Sequence, residues 1–211
     1  MFFQIPVPLL DVPISGVVAT GSKLAAKVET TENVGLNITT FPTITASGEK
    51  LPMCAVIKGK TDRVFKKIRE EGSLSVLRIH LYRSSKGWVN EKIMLLWLRE
   101  IVFPYTRGAP AALILDSYPA HWTYSIRLAA MAMNLELIQV PRGLTPTLQS
   151  LDVSFNGPMK KARQAFWLNQ KIKFPGKRDS QQAAIERAQK SYEGMTKEAT
   201  RVAWKEAKLI D

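Results

Sequence analysis

The stretch from residue 111 to residue 141 constrains the fold more than any other part of the chain. "AALILD" (111 to 116) is continuously apolar and ends in an acid, the composition of a strand buried on both faces. Pro119 then opens "AHWTYSIRLAAMAMNL", in which Ile126, Ala129, Ala130 and Met133 recur at helical spacing, and "LELIQVP" (135 to 141) is the next strand. Strand, helix and strand in that order predict a parallel crossover, and a parallel pair needs helices or loops over both faces.

The segments before it have a different period. "GVVATG", "AAKVETT", "GLNITTFPTIT" and "MCAVIKG", between residues 15 and 59, are rich in Val, Ile and Thr and predict an antiparallel meander, with "ASGEK" as a hairpin turn built on Gly48. "KTDRVFKKIREEGS" predicts a short amphipathic helix with Asp62 near its start and Gly72 as its stop, and "LRIHLYR" (77 to 83) alternates like a strand. "NEKIMLLWLREIVFPY" places Ile93, Leu96, Trp97 and Ile101 on one helical face, with Asn90 as N-cap and Pro104 as terminator. Downstream, "RGLTPTLQSLDVSFNGPMKKARQAFWLNQKI" runs from a Gly/Pro/Thr loop into a basic helix. A linker around 173 to 180 and a second long helical pattern over roughly 180 to 209 follow.

The expected architecture is therefore α/β, with the element order of a ribonuclease H-like fold. A three-strand antiparallel meander and two parallel strands form a mixed sheet with flanking helices and a basic C-terminal helical extension. The expected division is a core over 1–172 and a linker with helical extension over 173–211.

The chain carries 30 Lys and Arg against 18 Asp and Glu, a net charge of +12. Residues 153–211 hold 13 basic against 6 acidic side chains, so more than half of the excess lies in the last quarter. Such a surface either meets a polyanion, nucleic acid first and anionic membrane second, or is simply a solvated helix face. The single cysteine, Cys54, excludes an intramolecular disulfide and a cysteine-clustered zinc site. No apolar run reaches the roughly 20 residues of a transmembrane helix, and "MFFQIPVPLL" has no signal-peptide pattern, so an intracellular protein without a membrane partner is expected.

Two acids occupy positions where α/β sheets build sites. Asp116 ends one central strand, and Asp152 follows the next strand after a loop. Carboxylates converging there hold hard divalent cations such as Mg²⁺ or Mn²⁺, which activate water and stabilise a leaving oxygen. The same acids also suit strand-end turn and N-cap roles, and spacing alone leaves both readings open.

The strings "LILDSYPAH" and "LELIQVPRGLTPTLQSLDVSFNGPMKKA" resemble the DDE endonuclease domain of pogo/Tigger-type transposases and of relatives such as centromere protein B and jerky-like proteins. "FFQIP", "ATGSKLAAKVETT", "ITASGEKLPMCAVIKGKT", "KGWVNEKIMLLWL" and "RVAWKEAKLID" extend the similarity over nearly the whole chain. The resemblance implies a ribonuclease H-like core that acts on DNA in the nucleus through three acids and two Mg²⁺ or Mn²⁺ ions, with homodimers in transposase assemblies. It assigns Asp116 to the second acid and Asp152 to the third, with 35 residues between them. The first acid belongs to a strand just before "FF", so the expectation is an incomplete first strand and impaired catalysis. Asp11 is the nearest substitute, on the far side of "FFQIPVP".

A further departure from the family pattern is Ser150 in place of a proline, and the expectation is a domain without a helix-turn-helix or related DNA-binding module ahead of it. The alternative is a non-catalytic, transposase-derived nucleic-acid-binding or interaction module. Lys160, Lys161 and Arg163, eight to eleven residues past Asp152, are the candidate phosphate contacts, or else part of a generic basic face. His121 either lies near the metals or makes a structural hydrogen bond, and Gln149 either positions DNA or satisfies loop backbone. Trp88, Trp97, Trp122, Trp167 and Trp204 read first as core or interface residues.

Overall fold

A computed structural model describes residues 5–7, 38–63, 65, 79–174 and 180–210. The segments "GVVATG" and "AAKVETT" and most of the expected helix after residue 60 lie outside the described residues, as does Asp11.

The fold is mixed α/β, as the element order predicts. Strands β1 (Ile5–Val7), β2 (Ile38–Phe41), β3 (Met53–Lys58) and β4 (Ile79–Ser84) form one sheet in that order. β2 is antiparallel to β1 and to β3, with Ile5 opposite Thr40 and Thr40 opposite Ala55. β4 lies parallel to β3, with Cys54 opposite His80, which residue alternation by itself does not specify. The hairpin after β2 closes through Thr45 N–H to Glu49 O at 2.9 Å and Gly48 N–H to Thr45 O at 3.0 Å. Gly48 sits at φ 88, and an added Cβ would come within 2.7 Å of the Lys197 carbonyl, so the turn and its neighbour both require glycine.

Helix α1 (Glu91–Trp97) starts where Asn90 caps it, its side chain accepting from Ile93 N–H at 3.0 Å. Pro104 does not end it. The chain widens into a π-helical turn over Leu98–Val102 and continues as α2 (Phe103–Thr106), stopping at Arg107 with φ 52. Phe103 N–H donates to Leu98 O, five residues back, and that wide turn accommodates a proline which has no N–H to give.

β5 (Ala111–Leu115), α3 (Tyr124–Ala132) and β6 (Leu135–Gln139) form the expected crossover, and β6 is parallel to β5 with Leu113 opposite Leu137. α4 (Thr145–Leu148), a π-helical turn at Leu151–Phe155 and α5 (Asn156–Lys173) follow. The pattern expected to be one helix from 180 to 209 is two, α6 (Gln181–Glu193) and α7 (Lys197–Glu206). Ser180 caps the first, and Thr196 starts the second by accepting from Ala199 N–H at 3.0 Å.

The continuous apolar run of β5 predicts burial on both faces, but only Leu113 and Leu115 are buried, while Ala112 is exposed and Ile114 is half-buried. Leu113 and Leu115 enter a cluster with Phe41, Trp97, Leu98 and Ile126, whereas Ile114 packs against a second cluster of Ile44, Met53, Phe155, Tyr192 and Trp204. Each fully buried Leu, Ile or Phe in these clusters contributes roughly 1.5–3 kcal/mol relative to exposure. The C-terminal helices are part of this core. Tyr192 Oη lies within hydrogen-bond distance of two carbonyls, Thr43 O at 2.7 Å and Leu51 O at 2.8 Å. Lys50 Nζ donates to Tyr192 O at 2.8 Å and Glu193 O at 2.7 Å, capping the end of α6. Ala184 and Ile185 of α6 pack against Ile38, Ala55 and Ile57. No described helix is long and apolar enough to cross a membrane.

Candidate functional site

The parallel pair places Asp116 directly after the carboxyl end of β5, and the local sequence fixes its side chain. Its Oδ1 accepts from Tyr118 N–H at 3.0 Å, a turn closed by the side chain of an acid two residues earlier. Its carbonyl accepts from Trp122 Nε1 at 2.7 Å. Pro119 starts a single 3-10 turn over Pro119–His121, with His121 N–H on Tyr118 O at 2.9 Å. That turn swings the imidazole back toward the acid, and His121 Nδ1 lies 2.7 Å from Asp116 Oδ1.

The two partners differ in their access to solvent. The His121 side chain is fully buried, while that of Asp116 keeps 20% of its surface. Tyr118 covers the histidine edge-on at 5.2 Å and anchors its own hydroxyl on Val89 O at 3.3 Å, tying the turn to the start of α1. Arg127 of α3 lies 5.9 Å over the Trp122 ring. The described residues thus engage Oδ1 twice and give Oδ2 no hydrogen-bond partner. A part-exposed carboxylate with one oxygen held is suited to a ligand position on a hard cation.

Asp152 lies in the π-helical turn Leu151–Phe155, and its side chain is outside the described residues. Leu151 and Phe155, on either side of it, belong to the cluster that receives Ile114, so the turn and β5 share one hydrophobic anchor. Gln149 and Ser150, just before it, are fully buried. Among the described residues no three His, Cys, Asp or Glu side chains gather as a cation site.

α5 separates the three basic candidates. Met159, Arg163 and Trp167 are buried at four-residue steps, whereas Lys160 and Lys161 are exposed. Arg163 keeps 2% of its surface, which takes it off the basic face expected from charge alone. The tryptophans divide as well: Trp97, Trp167 and Trp204 are buried, while Trp88 is 45% exposed.

His80 is also paired, with Nδ1 3.7 Å from Glu100 Oε2. Burial would raise the Glu100 carboxyl, but hydrogen bonds from Arg99 and Tyr82 outweigh it and hold the group below its usual range. Burial pushes the Cys54 thiol well up, so it remains an inert core thiol. Tyr118 is the residue of the Asp116 turn that the sequence reading did not single out, and Trp122 was read there only as a core or interface residue. The signal for Tyr118 was the Asp-Ser-Tyr-Pro string, which combines an acid able to close a turn with a proline able to start one.

Against known proteins, the profile of a family described as DDE superfamily endonuclease matches residues 37–204. The human protein named "Pogo transposable element with KRAB domain" is 30% identical over 164 residues, covering 76% of this chain and 26% of the relative. The mouse protein of the same name gives the same identity and coverage. The chain spans about a quarter of the length of these curated relatives. Among solved structures, the Mos1 transposase paired-end complex with left transposon end aligns with a TM-score of 0.47 and 13% identity, over 96% of this chain and 54% of that one.

Proposed function

This chain belongs to the DDE superfamily endonuclease family, and on that premise we propose that it is a transposase-derived domain that binds DNA, with Asp116 and Asp152 as carboxylate ligands of Mg²⁺ or Mn²⁺. The observation that carries the reading is the state of Asp116. It stands at the carboxyl end of a parallel strand with one oxygen held by the Tyr118 amide and approached by His121, and its side chain keeps 20% of its surface. Bound divalent ions would supply water activation and stabilisation of the leaving oxygen in phosphodiester cleavage. The chain itself supplies orientation. His121 and the Tyr118 amide fix the carboxylate plane, and Tyr118 and Trp122 hold the turn that carries it.

Lys160 and Lys161 are the phosphate contacts of this reading, and Arg163 is a core residue of α5. The ribonuclease H-like core takes in residues 1–172, and the helices of the 173–211 segment complete it by packing on β2 and β3. Nuclear location and homodimer formation belong to the same proposal. The second reading is a transposase-derived module that binds nucleic acid without cutting it, supported by the net charge of +12.

Metal-dependent nicking of supercoiled DNA by the chain, compared with Asp116→Ala and Asp152→Ala, separates the two. Nicking that needs Mn²⁺ or Mg²⁺ and disappears in both variants supports the catalytic reading. Nicking unchanged in the variants refutes the assignment of these acids. DNA binding that falls with salt, needs no divalent ion and leads to no cleavage establishes the second reading.

A further inference from the structure

The turn between β4 and α1 holds a tryptophan out to solvent on a well-tied backbone. Gly87 N–H donates to Ser84 O at 3.2 Å, Ser84 Oγ donates to Trp88 O at 2.7 Å, and Thr39 Oγ1 of β2 donates to Gly87 O at 2.8 Å. Gly87 takes φ 79, and an added Cβ would lie 3.2 Å from the Cβ of Lys58, so the turn sits directly on the end of β3. The next residue, Val89, is buried in the Trp97 cluster, whereas Trp88 stays 45% exposed. A lone exposed ring on a loose loop calls for no explanation. A ring held out by a turn tied to two strands is a contact whose ordering cost is already met.

This turn adjoins the candidate site. Tyr118 Oη donates to Val89 O at 3.3 Å, and the Tyr118 amide holds Asp116 Oδ1 at 3.0 Å. One tyrosine thus links the Trp88 turn to the acid, a separation that a few nucleotides of single strand cross.

The charges around the ring are mainly basic. Lys58, Lys60, Lys86 and Lys92, on the turn and on the segments that flank it, are all exposed. Of the nearby acids, Asp62 is engaged by the Arg83 guanidinium, and Glu91 stands in the first turn of α1. An aromatic face among lysines meets both needs of an unpaired nucleotide, a π surface for the base and cations for the phosphates. A paired duplex keeps the faces of its bases inside the stack, so it would use the lysines and leave the ring idle.

We propose that Trp88 is a base-stacking platform. An unpaired nucleobase of a single-stranded or frayed DNA segment lies on its ring, with Lys58 and Lys86 on the flanking phosphates. The inference rests on the DNA-binding reading above and adds to it a preference for unpaired strand beside Asp116.

The test measures binding of the full chain, at one salt concentration, to a blunt duplex and to the same duplex with a single-stranded tail of about five thymidines, within the usual size of such sites. The expected result is at least about fivefold tighter binding of the tailed duplex, the lower bound for one base stacked on an aromatic ring. Trp88→Ala and Trp88→Leu should both lose that preference, since leucine keeps apolar bulk without a π face, and Trp88→Tyr should keep most of it. The tail should also quench tryptophan emission more in the parent than in Trp88→Tyr, because Trp97, Trp167 and Trp204 are buried. Equal binding of the two duplexes by the parent overturns the proposal, as does a preference that survives in Trp88→Ala or quenching that is equal in parent and Trp88→Tyr. A preference kept by Trp88→Leu overturns it too, because apolar contact then suffices. Where the blunt duplex still binds in these cases, DNA binding stands and the stacking site alone fails; absence of binding to either DNA removes both.

Discussion

The imidazole of His121 is fully buried against the one acid at the end of β5, with Nδ1 2.7 Å from Asp116 Oδ1, so the geometry of that carboxylate is set from inside the protein. If Asp116 holds Mn²⁺ as proposed, His121→Ala should weaken its binding, measured by calorimetry, by about 10- to 100-fold, the usual effect of losing an outer partner of a metal ligand. Tyr118→Phe, which keeps the ring over His121 and loses only the bond to Val89 O, should change Mn²⁺ affinity far less. Equal losses in both variants would show that the turn as a whole, rather than the imidazole, sets the site.

The exposed and buried basic residues of α5 should behave oppositely. If Lys160 and Lys161 each contact a phosphate, the double change to Gln lowers the slope of log K against log salt by about 1.8, from roughly 0.9 per contact. Arg163→Gln should leave that slope alone and lower the unfolding midpoint in urea instead, because the residue is 2% exposed. A slope change from Arg163→Gln would return it to the DNA face.

Tyr192→Phe should destabilise the chain by about 1–3 kcal/mol in urea unfolding, since it strips the hydroxyl from two buried carbonyls. The packing of its ring on Phe155, 6.1 Å away, survives the change. A cost near zero would mean that water replaces the hydroxyl.

Glu100 makes stability pH-dependent in a definite direction. Its folded carboxyl titrates below its ordinary value, so its contribution is complete above that ordinary value and is lost as pH falls through the depressed folded one. Its side chain is 35% exposed, so the worth of its contacts is about 1 kcal/mol or less. Glu100→Gln should lower stability by about 1 kcal/mol or less in the neutral region, leave it nearly unchanged below the folded titration range, and so flatten the acid limb slightly. A variant whose acid limb matches the parent assigns the limb to other carboxylates.

The crossover of β5, α3 and β6 was legible because its apolar periods are long and its boundaries carry Asp116 and Pro119. Asn90 was legible for the same local reason. Pro104 misled because its usual meaning, an end to the helix, was cancelled by a π turn that only backbone geometry reveals. The break between α6 and α7 was hidden because Gly194 and Thr196 interrupt a pattern that resumes in nearly the same phase. Arg163 was counted with its neighbours by charge, although the four-residue step from Met159 to Trp167 was already present in the sequence. Asp116 could be found as a strand-end acid. That His121 is buried against it depends on Tyr118 closing over the ring, a tertiary fact outside any local pattern.

The bonds from Lys50 and Tyr192 join residues 141 to 149 positions apart. During synthesis the hairpin at residues 43–51 is made early, yet the lysine and the carbonyls that secure it must wait until α6 has left the ribosome. Such distant pairing slows folding and leaves strand edges exposed meanwhile. A nascent chain stopped before residue 192 would therefore present an unsecured hairpin and depend on chaperones, while a few more residues would let it lock.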